Sequence, residues 1–156
     1  MGSKHQLAKI HSPSIPLEAV QVSVSSVVTC LGVQFDSQLT FTPHVQSLAR
    51  RCFYHLRQLR SVRQSLTTDS AKTLVHALIA SRLYYCNSVL YQIDITATKT
   101  LQSVLHSAAR LIMRKRKFDR ITLTLRDDLH WLPVPERIVF KLCLIIFKCR
   151  DRKSVV

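Results

Sequence analysis

The hydrophobic rhythm of the chain changes once, at Thr42-Pro43, and this change constrains the fold more than any other feature. Before it, apolar residues alternate with polar or small ones. Val20, Val22 and Val24 interleave with Gln21 and Ser23, and Leu31, Val33 and Phe35 with Gly32 and Gln34. A period of two collects side chains on one face of a strand. Ser25-Ser26 offers a turn, so the pattern predicts a β-hairpin ending at Asp36-Ser37. After it, apolar residues recur at steps of three and four, the signature of amphipathic helices.

Thr42-Pro43 itself resembles an N-cap followed by proline in the first helical position. Val45, Leu48, Cys52, Leu56, Leu59, Val62 and Leu66 then mark one face of a long helix over 43–66. Thr67, Thr68 and Asp69 signal the next start. A second face runs through Ala71, Leu74, Val75, Leu78, Ile79, Leu83, Cys86 and Leu90. Thr96 or Thr98 is the expected cap of a third helix, whose face is Leu101, Val104, Leu105, Ala108, Leu111 and Ile112. A short turn around 123–129 follows, Trp131-Leu132-Pro133-Val134-Pro135 breaks it, and a last helix covers about 136–150. The expected fold class is therefore mainly α: an N-terminal β-hairpin followed by four or five helices in a bundle. The expected organisation is a loose segment over 1–16, a hairpin over 17–41, a helical pair over 42–92 and a helical extension over 93–156.

Charge narrows the function. The 156 residues carry 23 Lys and Arg against 9 Asp and Glu, a formal net charge of +14. Arg50, Arg51, Arg57, Arg60 and Arg63 give residues 41–64 a net +5 with no acid. Lys99, Arg110, Arg114, Lys115, Arg116, Lys117 and Arg120 against Asp119 give residues 99–120 a net +6. Such concentration points to patches that meet a polyanion, nucleic acid before an acidic membrane surface. The two glycines exclude a glycine-rich phosphate loop.

On the first helix Arg50, Arg57 and Arg60 fall within roughly 80° at about 100° per residue, opposite the apolar face, with Tyr54 and Gln64 near the stripe. A basic stripe can follow a phosphate backbone without reading sequence. The run Arg114-Lys115-Arg116-Lys117 is a second phosphate-contact candidate, and as a helix C-terminus it also complements the helix dipole. The alternative for both is a solvated or protein-binding face. Five cysteines at irregular spacing, without a secretory signal, suggest a reducing, intracellular setting, nuclear or cytoplasmic. Cys52 and His55, and Cys143 and Cys149, lack a second pair at zinc spacing. Asp127-Asp128 reads as charged helix surface, and Trp131 as a packing anchor. Ile138–Phe147, interrupted by Lys141, is about half the roughly 20 residues that span a bilayer. It reads as a buried helix, with no membrane partner.

Three stretches resemble one family in combination. They are Leu31-Gly32-Val33-Gln34-Phe35-Asp36 with Leu39-Thr40-Phe41; Leu74-Val75-His76-Ala77 with Ser81-Arg82-Leu83-Tyr84-Tyr85-Cys86-Asn87; and Ser107-Ala108-Ala109-Arg110-Leu111 with Arg116–Thr122, Leu129-His130-Trp131-Leu132-Pro133-Val134 and Arg137-Ile138. In this order they resemble the reverse transcriptases of non-LTR (LINE-type) retrotransposons, on the C-terminal side of the palm centre, over about residues 5–150. The resemblance implies that the hairpin is the end of the palm, with Leu31, Gly32 and Val33 near the element that steadies the primer end. The helices from Pro43 onward would be the thumb and its extension, gripping an RNA/DNA duplex or single strand without sequence preference. Arg50, Arg57, Arg60, Arg110, Arg114, Lys115, Arg116 and Lys117 are the contact candidates from the charge pattern. The family's catalytic Asp-Asp motif has no match in residues 1–156. The resemblance thus implies a fragment that is no enzyme alone and holds no cofactor, the magnesium belonging to the parent's palm. Its partners would be nucleic acid and the missing palm and fingers. A basic protein-interaction module and a residual product without function are the alternatives.

Overall fold

Leu31 and Gly32 both have positive φ, 48° and 79°, and this pair turns the chain between two antiparallel strands. A two-residue turn with positive φ at both centres twists in the sense that flanking strands require, and glycine takes its place at little cost. The structure, a computed structural model, describes residues 14–17, 20–23 and 25–151. It divides into two units, Met1–His44 and Val45–Val156.

In the first unit, β1 (Ser14–Leu17) pairs antiparallel with β2 (Val20–Ser23), and β3 (Val27–Cys30) with β4 (Val33–Asp36). The mainly helical class with a β-hairpin start holds, but the hairpin's internal arrangement differs from the expected one. Val20 and Val22 do not pair with Val33 and Phe35; β3 pairs Val28 with Phe35 and Cys30 with Val33. Ser25-Ser26 lies between two hairpins, where Ser25 Oγ accepts from Val27 N at 3.4 Å and donates to Val27 O at 2.8 Å. The physical reason is Leu31-Gly32, a better hairpin turn than two serines. Ser14–Pro16 of the expected loose lead-in fall in β1; residues 1–13, 18–19, Val24 and 152–156 lie outside the described residues.

After β4 the Asp36 carboxylate gathers the chain. It accepts from the Thr40 amide and hydroxyl, each at 3.0 Å, and from the Phe41 amide at 2.8 Å. Burial would raise this carboxyl, but the amide and hydroxyl donors of Thr40 and Phe41 outweigh it and hold the pKa below the usual range. Phe41 packs edge-to-face on Phe35, centroids 5.5 Å apart.

Helix α1 spans Thr42–Val62. Val45, Leu48, Ala49, Cys52, Leu56 and Leu59 are buried as the period predicts. The register then departs from expectation at its last turn: Val62 is 48% exposed and Arg63 is 6% exposed. Steps of four and three from Val45 run through 49, 52, 56 and 59 and land on 63, so the helical phase buries the arginine.

Helix α2 (Thr68–Val75) is capped by Thr67, whose hydroxyl accepts from Ser70 N at 3.1 Å. A π-helical turn, His76–Ala80, joins it to α3 (Ser81–Tyr84). The expected continuous helix to Leu90 stops instead at Tyr84; Tyr85 is extended, Cys86 is left-handed with φ 50°, and a 3-10 turn covers Asn87–Leu90.

Helix α4 (Ile95–Ile112) is central. Its cap is Asp94, whose carboxylate accepts from Thr96 N at 2.8 Å, and neither Thr96 nor Thr98 takes that role. Every face residue expected of it is buried, together with Ala97 and Ala109. It packs against α2, against the π turn Thr124–Asp128 and against α5 (Val134–Asp151).

Helix α5 corrects a second expectation. Val134, Arg137 and Ile138 are buried, but from Val139 onward no described side chain is. Phe140, Ile146 and Phe147 are more than half exposed. The helix packs on α4 and the 87–90 turn, with its fully buried residues confined to its first turns. No helix among the described residues is long and apolar enough to cross a membrane.

Candidate nucleic-acid interface

The two basic segments, separated by some fifty residues in sequence, meet in one groove of the second unit. Phe53, Arg57 and Arg60 line it from α1, Ser107, Arg110 and Leu111 from α4, and Lys115 and Lys117 from the turn that follows. The groove measures about 500 Å³ and carries no carboxylate among its described lining residues. Spacings of four and three on α1, and of three and four from Ser107 on α4, put each set on one helix face.

The cations are positioned differently. Arg57, Arg60 and Lys117 are exposed. Lys115 Nζ donates to the Thr124 hydroxyl, which anchors this lysine to the π turn. Arg110 donates through Nη2 to the Asp119 carbonyl at 3.4 Å, while its Nε is buried without a hydrogen-bond partner among the described residues. A desolvated charged donor left unsatisfied favours an incoming acceptor.

The remaining candidates lie elsewhere. Arg50 is exposed two turns before Arg57, about 10 Å back along the helix axis, and does not line the groove. Arg116 is exposed, its amide donating to Asp119 Oδ2 at 2.7 Å. Arg114 reaches back to the end of α1, donating through Nη2 to the carbonyls of Arg63 at 3.5 Å and of Gln64 and Leu66 at 3.4 Å. Leu31, Gly32 and Val33 belong to the first unit, with Leu31 and Gly32 at the β3–β4 turn and Val33 buried.

Sequence reading missed Arg63. Its Nε donates to Leu111 O at 2.8 Å, its Nη2 to Ile112 O at 2.6 Å and its Nη1 to Leu66 O at 2.8 Å. These satisfy carbonyls that a helix C-terminus leaves without partners. The four-residue step from Leu59 was the available signal. Phe53 in the groove lining carried none, being neither charged nor part of a motif, and Ser107, though it opens one of the family-like stretches, carries no charge to single it out.

A second cleft, about 420 Å³, is lined by Lys72, Thr73, His76, Asp128, Leu129, His130 and Trp131. Trp131 is half-buried, edge-to-face with His76 at 5.7 Å, and the buried Arg137 guanidinium stacks between its ring and that of Tyr84, at 5.5 and 4.9 Å. These contacts account for it as a packing anchor. Asp127 and Asp128 are exposed, and Asp127 pairs with Arg126 at 3.0 Å. No three carboxylate, imidazole or thiol side chains converge as a metal site among the described residues. Cys52 is wholly buried, and burial pushes its thiol up to about 11 against the opposing pull of Arg82 and Arg51.

Fold and groove together define a mainly helical chain with a β start and a cation-lined channel between two helices. Over 134 residues, 85% of its length, the chain is 28% identical to the "Probable RNA-directed DNA polymerase from transposon BS" of Drosophila melanogaster. The likeness relates it to transposon reverse transcriptases, and the chain spans about 15% of that protein's length. No family model matches the chain, and no solved structure matches it.

Proposed function

We propose that this chain is a segment of a LINE-type, non-LTR retrotransposon reverse transcriptase, from the end of the palm through the thumb, and that its groove holds a nucleic-acid backbone. The observation that carries the reading is the convergence of Arg57, Arg60, Arg110, Lys115 and Lys117 on one channel without an opposing carboxylate. Cations held along rigid helices displace the counterions of a phosphate chain and bind it whatever its sequence. Similarity to a transposon polymerase supports a template–primer as the polyanion. In this reading Leu31, Gly32 and Val33 help support the primer end. Chemistry and magnesium belong to the parent's palm and fingers, and the chain alone is no enzyme. Its setting is intracellular, nuclear or cytoplasmic.

The test is a salt titration of binding to an RNA/DNA heteroduplex. Four to six phosphate contacts give a log–log slope of roughly −4 to −5. Saturable binding that ignores salt would overturn the reading. A second reading, a protein-interaction module, is favoured by the exposed apolar residues Phe140, Ile146 and Phe147 of α5. It predicts salt-insensitive association through α5 instead.

A further inference from the structure

Beside the groove lies an aromatic ring that neither the core nor the groove lining uses. Phe118 is 90% exposed. Its neighbour Lys117, a groove residue, holds its ammonium 5.5 Å from the ring centroid. The turn that carries Phe118 is tied down on both sides. The Asp119 carboxylate accepts from the Arg116 amide at 2.7 Å, and the Asp119 amide donates to Arg116 O at 3.3 Å. The Asp119 carbonyl in turn accepts from Arg110, another groove residue, at 3.4 Å. The ring is therefore carried on a closed turn between the groove residue Lys117 and the Arg110-bound Asp119, with a cation near it and its surface open to solvent.

We infer that Phe118 is a base-stacking platform for the groove, and that the site takes an unpaired nucleotide strand in preference to a continuous duplex. This rests on the backbone-binding reading above and goes further. Phosphate contacts do not distinguish paired from unpaired strands, whereas a stacking ring does. In a duplex interior each base face already lies on its neighbours. In a single strand a base is free to turn onto the ring while its phosphate stays on Lys117. Stacking on an aromatic side chain accepts any base, in keeping with a site that reads no sequence.

The experiment uses the full chain with two labelled probes, a DNA single strand of about 12 nucleotides and a blunt duplex of the same sequence. Fluorescence anisotropy is read at one salt concentration. Phe118→Ala weakens the single strand roughly 5- to 150-fold, the range of stacking on one aromatic residue, and leaves the duplex unchanged. Phe118→Trp retains the single-strand affinity, and its added indole emission is quenched by single strand but not by duplex. Because the ring is exposed, neither change threatens the fold. An Arg57→Gln/Arg60→Gln variant separates the two readings. If it weakens both probes while Phe118→Ala weakens neither, or both equally, stacking is refuted and the groove stands. If none of the variants alters binding, the groove reading falls as well.

Discussion

Arg63 and Arg114 cap each other's helices. Arg63, at the end of α1, donates to Leu111 and Ile112 at the end of α4, while Arg114, just past α4, donates to the carbonyl of Arg63 itself. Two helix C-termini, each with partial negative charge and unpaired carbonyls, thus meet and exchange arginines. This crossing holds together the two helices that wall the groove, and it does so with cations from the very segments that make the groove basic.

The exchange is asymmetric, which gives the first prediction. Arg63 is buried with contacts of 2.6 to 2.8 Å; Arg114 is exposed with contacts of 3.4 to 3.5 Å. Arg63→Met should destabilise the fold by about 2–4 kcal/mol, and Arg114→Gln by under about 1 kcal/mol. Urea unfolding midpoints compare them; equal losses would contradict the asymmetry.

The groove discriminates between arginines that the helix stripe treats alike. Arg60→Gln should make the salt slope of heteroduplex binding shallower by about 0.9, one phosphate contact. Arg50→Gln, outside the groove, should leave it unchanged. A similar change from both would show that the whole α1 stripe, and not the channel, meets the backbone.

His106 makes stability depend on pH. Burial, and then the charge of Arg110, lower its pKa below the ordinary 6.5. Its Nε2 lies 2.8 Å from the Gln102 amide nitrogen, and Gln102 Oε1 accepts from Val134 N, the start of α5, at 2.9 Å. The neutral ring accepts from Gln102; protonated, it cannot. Below pH 6.5 the unfolded chain takes up this proton before the folded one, so this group's contribution is present above about 6.5 and declines as pH falls towards the lowered folded value. The urea midpoint should fall from pH 7.5 to pH 5.5 in wild type and fall less in His106→Gln. An identical fall in both would remove His106 as the cause.

The cysteines should separate kinetically. Cys30, Cys143 and Cys149 are exposed, Cys86 is half-buried and Cys52 is buried with its pKa pushed up to about 11. The thiolate is the reactive form. A chromogenic disulfide at pH 8 should label the exposed three first and Cys52 only on unfolding, as mass mapping of the labelled peptides will show. Early labelling of Cys52 would contradict its place on the buried face of α1.

The apolar surface of α5 should govern association. Replacing Phe140, Ile146 and Phe147 by Ser removes side chains that are 57%, 66% and 64% exposed. The triple variant should stay monomeric at concentrations where wild type self-associates in sedimentation, with the unfolding midpoint nearly unchanged. A large loss of stability would mean that the helix is buried after all.

The helical half of the fold was legible because local period and global burial agree there. On α4, the residues Leu101, Val104, Leu105, Ala108, Leu111 and Ile112 all face the core that their spacing announced. Reading failed where one turn pair outweighed another, as Leu31-Gly32 did Ser25-Ser26, or where a short polar side chain two positions earlier captured a cap, as Asp94 did. On α5 it failed because apolarity says that a helix wants burial, and does not say whether a partner is within reach.

The candidate site divides the same way. Sequence alone determined that positive charge is concentrated in 41–64 and 99–120, because charge is a local property; the run Arg114–Lys117, expected at a helix C-terminus, lies on the turn past Ile112. Only the tertiary structure decided which cations meet. It brought Arg57 and Arg60 to Arg110, Lys115 and Lys117, left Arg50 outside, and turned Arg114 toward the carbonyls of another helix. Which charges share a groove depends on where two helices cross and on how their last turns are capped. Those are contacts between residues some fifty positions apart, and no spacing along one helix contains them.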